Sequence, residues 1–113
     1  MNTKKSVYVT FAEKKLEEEF ELLKEGKYED KLLYKFIERV IKEVKNNSAF
    51  GIKIPKRIWP QVYVQKYSIT NLWKYDMPNG WRLLYTIKEN DVMIVDVILE
   101  WMTHKEYERR FKY

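Results

Sequence analysis

The chain has 113 residues, a net charge of +5 and no cysteine; 45% of its residues are hydrophobic, 16% aromatic and 35% charged. That length fits one domain over residues 1–113 around a single core, the apolar content excludes a disordered chain, and the evenly spread charge excludes a membrane-embedded one. Without cysteine there is no disulfide framework, thiolate zinc site or cysteine nucleophile, and one histidine makes a transition-metal site improbable; no cofactor is expected.

The N-terminal stretch Met1 to Ser6 is short and polar, and Val7 to Phe11 is too brief for the apolar part of a signal peptide, so a cytoplasmic location away from membranes is expected. Lys5 to Thr10 reads as a strand, with Val7 and Val9 on one face and Tyr8 on the other. Thr10-Phe11-Ala12-Glu13 has capping-box spacing, which predicts a helix that starts there, presents Leu16, Phe20 and Leu23 as its apolar stripe, and stops at Gly26. From Glu29 to about Lys45 the set Leu32, Leu33, Phe36, Ile37, Val40, Ile41 and Val44 keeps a helical period, and Asn46-Asn47-Ser48 ends it. The two helices are expected to form an antiparallel hairpin.

Gly51, Pro55 and Pro60 mark a basic connection of about a dozen residues, after which strand signals dominate. Gln61 to Tyr67, Leu72 to Met77, Gly80 to Lys88 and Val92 to Trp101 are rich in Val, Ile, Tyr and Trp. Turns at Pro78-Asn79-Gly80 and Glu89-Asn90-Asp91 join the last three into an antiparallel meander. Thr103-His104-Lys105-Glu106 repeats the capping-box spacing and predicts a short final helix carrying Tyr107 and Phe111. The order predicts an α+β domain, with an N-terminal strand and helical hairpin packed on one face of an antiparallel sheet of four to five strands and the other face left open. Alternation along Gly80 to Lys88 then sends Trp81, Leu83, Tyr85 and Ile87 one way and Arg82, Leu84, Thr86 and Lys88 the other, making Arg82 the polar centre of a sheet face and Tyr85 a core residue.

Charged residues run through the whole chain, but the balance of their signs does not. Residues 1–46 carry eleven basic and ten acidic side chains, whereas residues 47–113 carry eleven basic and seven acidic. No Asp or Glu falls between Val44 and Tyr75, while Lys45, Lys53, Lys56, Arg57, Lys66 and Lys74 do, and the chain ends Arg109-Arg110-Phe111-Lys112-Tyr113. Such a balance suits either a solvated basic surface or an anionic partner. Tyr63, Tyr67, Trp73 and Tyr75 interleave with the cations as they would on a surface that stacks unpaired RNA bases.

The stretch Trp81-Arg82-Leu83-Leu84-Tyr85-Thr86-Ile87, a turn, the apolar strand Val92 to Leu99 and then Thr103-His104-Lys105-Glu106-Tyr107, in this element order, resembles the RelE/ParE superfamily of bacterial and archaeal toxins. The resemblance covers nearly the whole chain in topology and about the last 45 residues in motif. It implies a toxin held inactive by a small antitoxin protein, with messenger RNA on the ribosome as substrate for RelE-like members and DNA gyrase as target for ParE-like ones. Cleavage by the family's route has the RNA 2′-hydroxyl attack the adjacent phosphate, which needs positioning, charge stabilisation and two proton transfers, without a metal. Arg82 then stands at the family's strand arginine, where a guanidinium fork suits a phosphate; its structural alternative is an ion pair with Asp96 or Glu100. His104 stands where members place a His or Tyr near the scissile phosphate, and Tyr107 where a C-terminal Tyr stacks on a base or orients the phosphate; helix surface and core packing are their structural alternatives. Lys66 and Lys74 stand as the lysines that some members use as base or as charge stabilisers, with a solvated cation as their structural alternative; Asp76 is the nearest counterpart of a carboxylate base, and Lys53, Lys56, Arg57, Arg109 and Arg110 complete the RNA-binding set. Fewer strand arginines than usual and a longer Phe50–Pro60 connection with Trp59 depart from the pattern. Beside the nuclease stand a ParE-like topoisomerase inhibitor and a non-toxic RNA- or protein-binding module.

Overall fold

A computed structural model of the chain describes residues 5–111; Met1, Lys112 and Tyr113, named above at the two ends of the chain, lie outside the described residues. The elements are β1 (Ser6–Phe11), α1 (Lys14–Leu22), α2 (Tyr28–Asn46), β2 (Ile52–Lys53), α3 (Gln61–Tyr67), β3 (Trp73–Asp76), β4 (Trp81–Glu89), β5 (Met93–Thr103) and α4 (His104–Phe111). The strands form one sheet in the order β1-β5-β4-β3-β2. Among the described residues no helix is long and apolar enough to cross a membrane.

The sheet is mixed, which corrects the antiparallel expectation. β3, β4 and β5 form the meander, but β1 pairs with β5 in parallel, Ser6 opposite Met93 through Phe11 opposite Ile98. The helical hairpin carries the chain across the sheet from β1 to the far edge at β2, and the meander then returns until β5 meets β1 running the same way. A parallel neighbour needs a long crossover instead of a tight turn, so no local signal in β1 announces its partner.

On the first face α2 buries Leu33, Ile37, Val40 and Val44, spaced at alternating intervals of four and three, against Phe20 of α1 and Leu83, Tyr85 and Ile98 of the sheet. The stripe reads from the sequence because 3.6 residues per turn returns these positions to one side. Phe20 stacks on Tyr34 with ring centroids 4.5 Å apart, locking the hairpin. The expected capping box at Thr10 does not form. β1 runs on through Phe11, Glu13 becomes the N-cap of α1 without a side-chain cap, and its carboxylate goes instead to Tyr67. At Gly26 the helix does stop, after one 3₁₀ turn.

The second face is not open. Ile54, Ile69, Leu72, Leu84, Leu99 and Met102 meet Tyr63 of α3 and Tyr107 and Phe111 of α4 in a second core. Gln61 to Tyr67, expected as a strand, is the helix α3, entered at Pro60 and closed by Ser68 in the left-handed region at φ 51°. Tyr63 and Tyr67 share a side both at strand spacing and at helical i, i+4 spacing, so the pattern fitted either element. A helix can cover the apolar residues of the sheet's second face, and that burial settles the choice. A bulge helps: Leu84 faces Glu100 and Tyr85 faces Ile98, so Leu99 is the extra residue, and both Leu99 and Glu100 turn toward this second layer. The Phe50–Pro60 connection is partly structured too, through the short β2 and the Trp59 indole, which donates to the Ile54 carbonyl at 2.8 Å.

One charge is enclosed. Asp96 of β5 is fully buried beneath the Ser48–Phe50 turn, where it accepts from the Ser48 hydroxyl at 2.9 Å through one oxygen, while the other has no hydrogen-bond partner among the described residues. Burial raises its carboxyl from the usual range to about 6, against the lowering pull of Ser48.

Candidate active site

The register of β3, β4 and β5 assembles a cluster of charged groups at one end of the second face. Arg82 of β4 lies opposite Asp76 of β3 and opposite Met102 of β5, two residues before His104 opens α4. Thr103 caps that helix as its sequence predicts: its hydroxyl accepts from the Glu106 amide at 3.2 Å, and the Glu106 carboxylate accepts from the Thr103 amide at 3.1 Å. The cap fixes where His104 leaves the sheet. The turn at Pro78–Gly80, with Asn79 and Gly80 at φ 61° and 78°, packs against it; a Cβ at Gly80 would stand 3.6 Å from the His104 Cβ.

Arg82 and His104 meet, its Nη2 lying 3.1 Å from the imidazole Nδ1. A guanidinium only donates, so Nδ1 accepts and the ring proton sits on Nε2, which faces Glu108 Oε1 at 3.3 Å. On its other side the Arg82 Nε pairs with Asp76 Oδ1 at 2.9 Å, as a charge contact without hydrogen-bond alignment, and Nη1 donates to the Trp81 carbonyl at 3.3 Å. Lys74 Nζ is 3.5 Å from the same Asp76 oxygen. The result is a row of interacting polar groups, Lys74, Asp76, Arg82, His104 and Glu108, in which the Lys74 and Arg82 side chains are mostly covered while the His104 side chain remains 55% exposed. Among the described residues no group of His, Asp and Glu converges in a way that suits a metal ion.

The alternative partners considered for Arg82 are elsewhere: Asp96 is enclosed beneath the Ser48–Phe50 turn, and Glu100 binds Arg110 and accepts from the Tyr63 hydroxyl at 2.6 Å. Tyr107 is 2% exposed, stacks on Phe111 at 4.3 Å, and lies beneath Lys74 with the ammonium 5.3 Å from its ring centre. Its ring is therefore a floor under the site and offers no open stacking face.

The remaining cations divide. Lys53 sits on the edge strand over the Trp73 ring at 6.0 Å, Lys56 and Arg57 are exposed in the 3₁₀ turn that follows, and Arg109 is exposed on α4. Lys66 and Arg110 belong to a different cluster, in the cleft between α1 and α3. There Glu13 binds Lys66 at 3.2 Å and accepts from Tyr67 at 2.9 Å, and Arg110 joins Tyr63 and Glu100. The Tyr67 hydrogen bond, with Lys66, holds Glu13 below the usual carboxylate range, while burial and then Glu100 push the Tyr63 phenol up. The interleaved aromatics do not make one basic stacking surface. Tyr63 is core, and Trp73 and Tyr75 pack at the margin of the first core, on the opposite side of β3 from Lys74. The Tyr75 hydroxyl donates to Glu43 at 2.6 Å, and burial followed by that carboxylate raises it to about 12.

Sequence reasoning named Asp76 as the counterpart of a carboxylate base, without its contact to Arg82, and did not single out Glu108. The signals were present: Glu108 follows His104 at i, i+4, and the short Pro78-Asn79-Gly80 turn places Asp76 across from Arg82. Comparison with protein-family models, with curated proteins and with solved structures finds no match for this chain.

Proposed function

We propose that the chain is a RelE-like toxin, an endoribonuclease that cuts messenger RNA on the ribosome by attack of the RNA 2′-hydroxyl on the adjacent phosphate. The observation that carries this reading is the 3.1 Å contact between Arg82 and His104, which puts an anion-binding fork and a proton-transfer group at one point on the protein surface.

In the reaction the 2′-oxygen bonds to phosphorus and the bond to the 5′-oxygen breaks, leaving a 2′,3′-cyclic phosphate and a 5′-hydroxyl. One proton leaves the 2′-hydroxyl and one reaches the departing oxygen. Arg82, steadied by Asp76, and Lys74, resting on Tyr107, stabilise the added charge on the phosphoryl oxygens. His104 supplies the proton to the departing oxygen, held through Nε2 by Glu108. Asp76 lies within reach of both cations and is the carboxylate available as base. Lys53, Lys56, Arg57 and Arg109 supply backbone contacts to the RNA strand; Lys66 and Arg110, engaged by Glu13 and Glu100, contribute less. A small antitoxin that copurifies with the chain is part of the same reading.

The test is a map of RNA 5′ ends in cells after brief induction of the chain without a partner. New ends inside translated messages, in fixed phase with the reading frame, are expected. Arrested growth with unchanged ends overturns the nuclease in favour of a topoisomerase inhibitor, and unchanged ends with normal growth leave a binding module.

A further inference from the structure

In the free protein the site is closed on itself. The Arg82 Nη2 donates to His104 Nδ1, so the imidazole is neutral there, with its one ring proton on Nε2 toward Glu108. A ring protonated at both nitrogens would turn a donor and a positive charge toward the guanidinium at 3.1 Å. An incoming anion needs the same Nη2 and changes both terms. It occupies the donor that Nδ1 had been accepting from, its negative charge offsets Arg82, and its oxygens can accept from a newly protonated Nδ1–H.

We propose that Arg82 binds an anionic phosphoryl group together with one proton taken up by His104 at Nδ1, so that the site passes from a self-paired neutral form to a loaded acid form. This rests on reading Arg82 as the anion-binding residue of the site above, and it is independent of whether RNA is cut. The groups facing the imidazole are Arg82 from β4, Glu108 from its own helix and, one contact further through Arg82, Asp76 and Lys74 from β3. Glu108 stays on Nε2 in both forms, so the ring need not flip; it acts as a positioning residue. Linkage is reciprocal: an anion that draws a proton onto His104 binds more tightly as the pH falls through the range where that proton is taken up. For a nuclease, the loaded acid form is the one that can protonate the departing 5′-oxygen.

Because His104 is the only histidine of the chain, its ring nitrogens can be read directly by ¹⁵N NMR. Sulfate serves as the probe, since its charge stays constant over the titration. The expected result is that Nδ1 begins as an unprotonated acceptor and becomes protonated as sulfate is added at fixed pH near neutrality. Sulfate affinity should rise toward tenfold for each unit the pH is lowered, the limit for one coupled proton. In His104→Gln, sulfate should still bind but with an affinity independent of pH, and in Arg82→Gln binding should be lost. Sulfate that leaves Nδ1 unprotonated, a pH-independent affinity in the unaltered protein, or failure of sulfate to perturb the His104 ring each overturns the proposal. RNA left uncut while the linkage holds removes the nuclease and keeps the proton-coupled anion site; RNA cut with pH-independent sulfate binding removes only the coupling.

Discussion

Arg82 and His104 stand 22 residues apart in the chain and 3.1 Å apart in space, joined by a guanidinium–imidazole contact that Asp76 flanks on one side and Glu108 on the other. Two devices produce it. The β4–β5 pairing sets Arg82 beside Met102, and the Thr103 cap turns the chain into α4 at the next residue but one. No other His is present to duplicate the role.

Arg82→Ala and His104→Ala should each lower RNA cleavage by about 100-fold or more, the usual effect of removing a charge stabiliser or a general acid. The ion pairs they leave are partly solvated, so the cost in stability should stay within about 1 kcal/mol. Thermal melts run beside cleavage assays check both; undiminished cleavage in both variants contradicts the site.

Arg110→Ala separates a structural cation from an RNA-binding one. Arg110 holds Glu100 and donates to the Tyr63 hydroxyl at 3.2 Å, so its loss should destabilise the fold by roughly 1–2 kcal/mol. RNA affinity should change little, whereas Arg57→Ala should weaken RNA binding and leave the denaturation midpoint in place. Salt-dependent binding curves alongside urea titrations distinguish the two.

Much of this arrangement could be read from the residues. The α2 stripe from Leu33 to Val44, the two faces of β4 and the Thr103–Glu106 cap all depend on the spacing of residues close together in the chain, and all three form as expected. What the sequence did not reveal depends on distant parts. The parallel partner of β1 is β5, at the other end of the chain; α3 is a helix because a sheet face needed cover; and Glu13 leaves its local cap for Tyr67. The site divides in the same way. Arg82 and His104 were each legible as residue types in place, but their convergence required the β4–β5 register, and the diversion of Lys66 and Arg110 into ion pairs required the cleft between α1 and α3.

The contribution of Asp96 to stability should fall as the pH rises from about 4 to about 6. Asp96 titrates near 3.8 when unfolded and near 6 when folded, so across that window the native state binds the extra proton, and stability is lost as the pH climbs toward the folded value. The full effect is at most about 3 kcal/mol, from a rise of about two units. Asp96→Asn should flatten this slope and raise the melting temperature at neutral pH. Calorimetry of both proteins over the window is the check, and identical slopes contradict an enclosed, weakly partnered carboxyl.

Asn71 ties the start of β3 to β4: its side-chain oxygen accepts from the Ile87 amide at 2.8 Å and from the Trp73 indole at 3.1 Å, and its amide donates to the Ile87 carbonyl at 2.7 Å. Asn71→Ala leaves these groups without partners and should cost about 2–3 kcal/mol, with Asn71→Asp nearly as costly because a carboxylate cannot donate to the Ile87 carbonyl. Urea denaturation gives the value directly, and a cost below about 1 kcal/mol would show that water replaces the side chain.

The central claim is tested most directly by the chemical nature of the ends produced when the purified chain acts on messenger RNA held in programmed ribosomes. The account predicts a 2′,3′-cyclic phosphate on one fragment and a 5′-hydroxyl on the other, both absent with His104→Ala. Intact message, or ends bearing a 5′-phosphate, would contradict it.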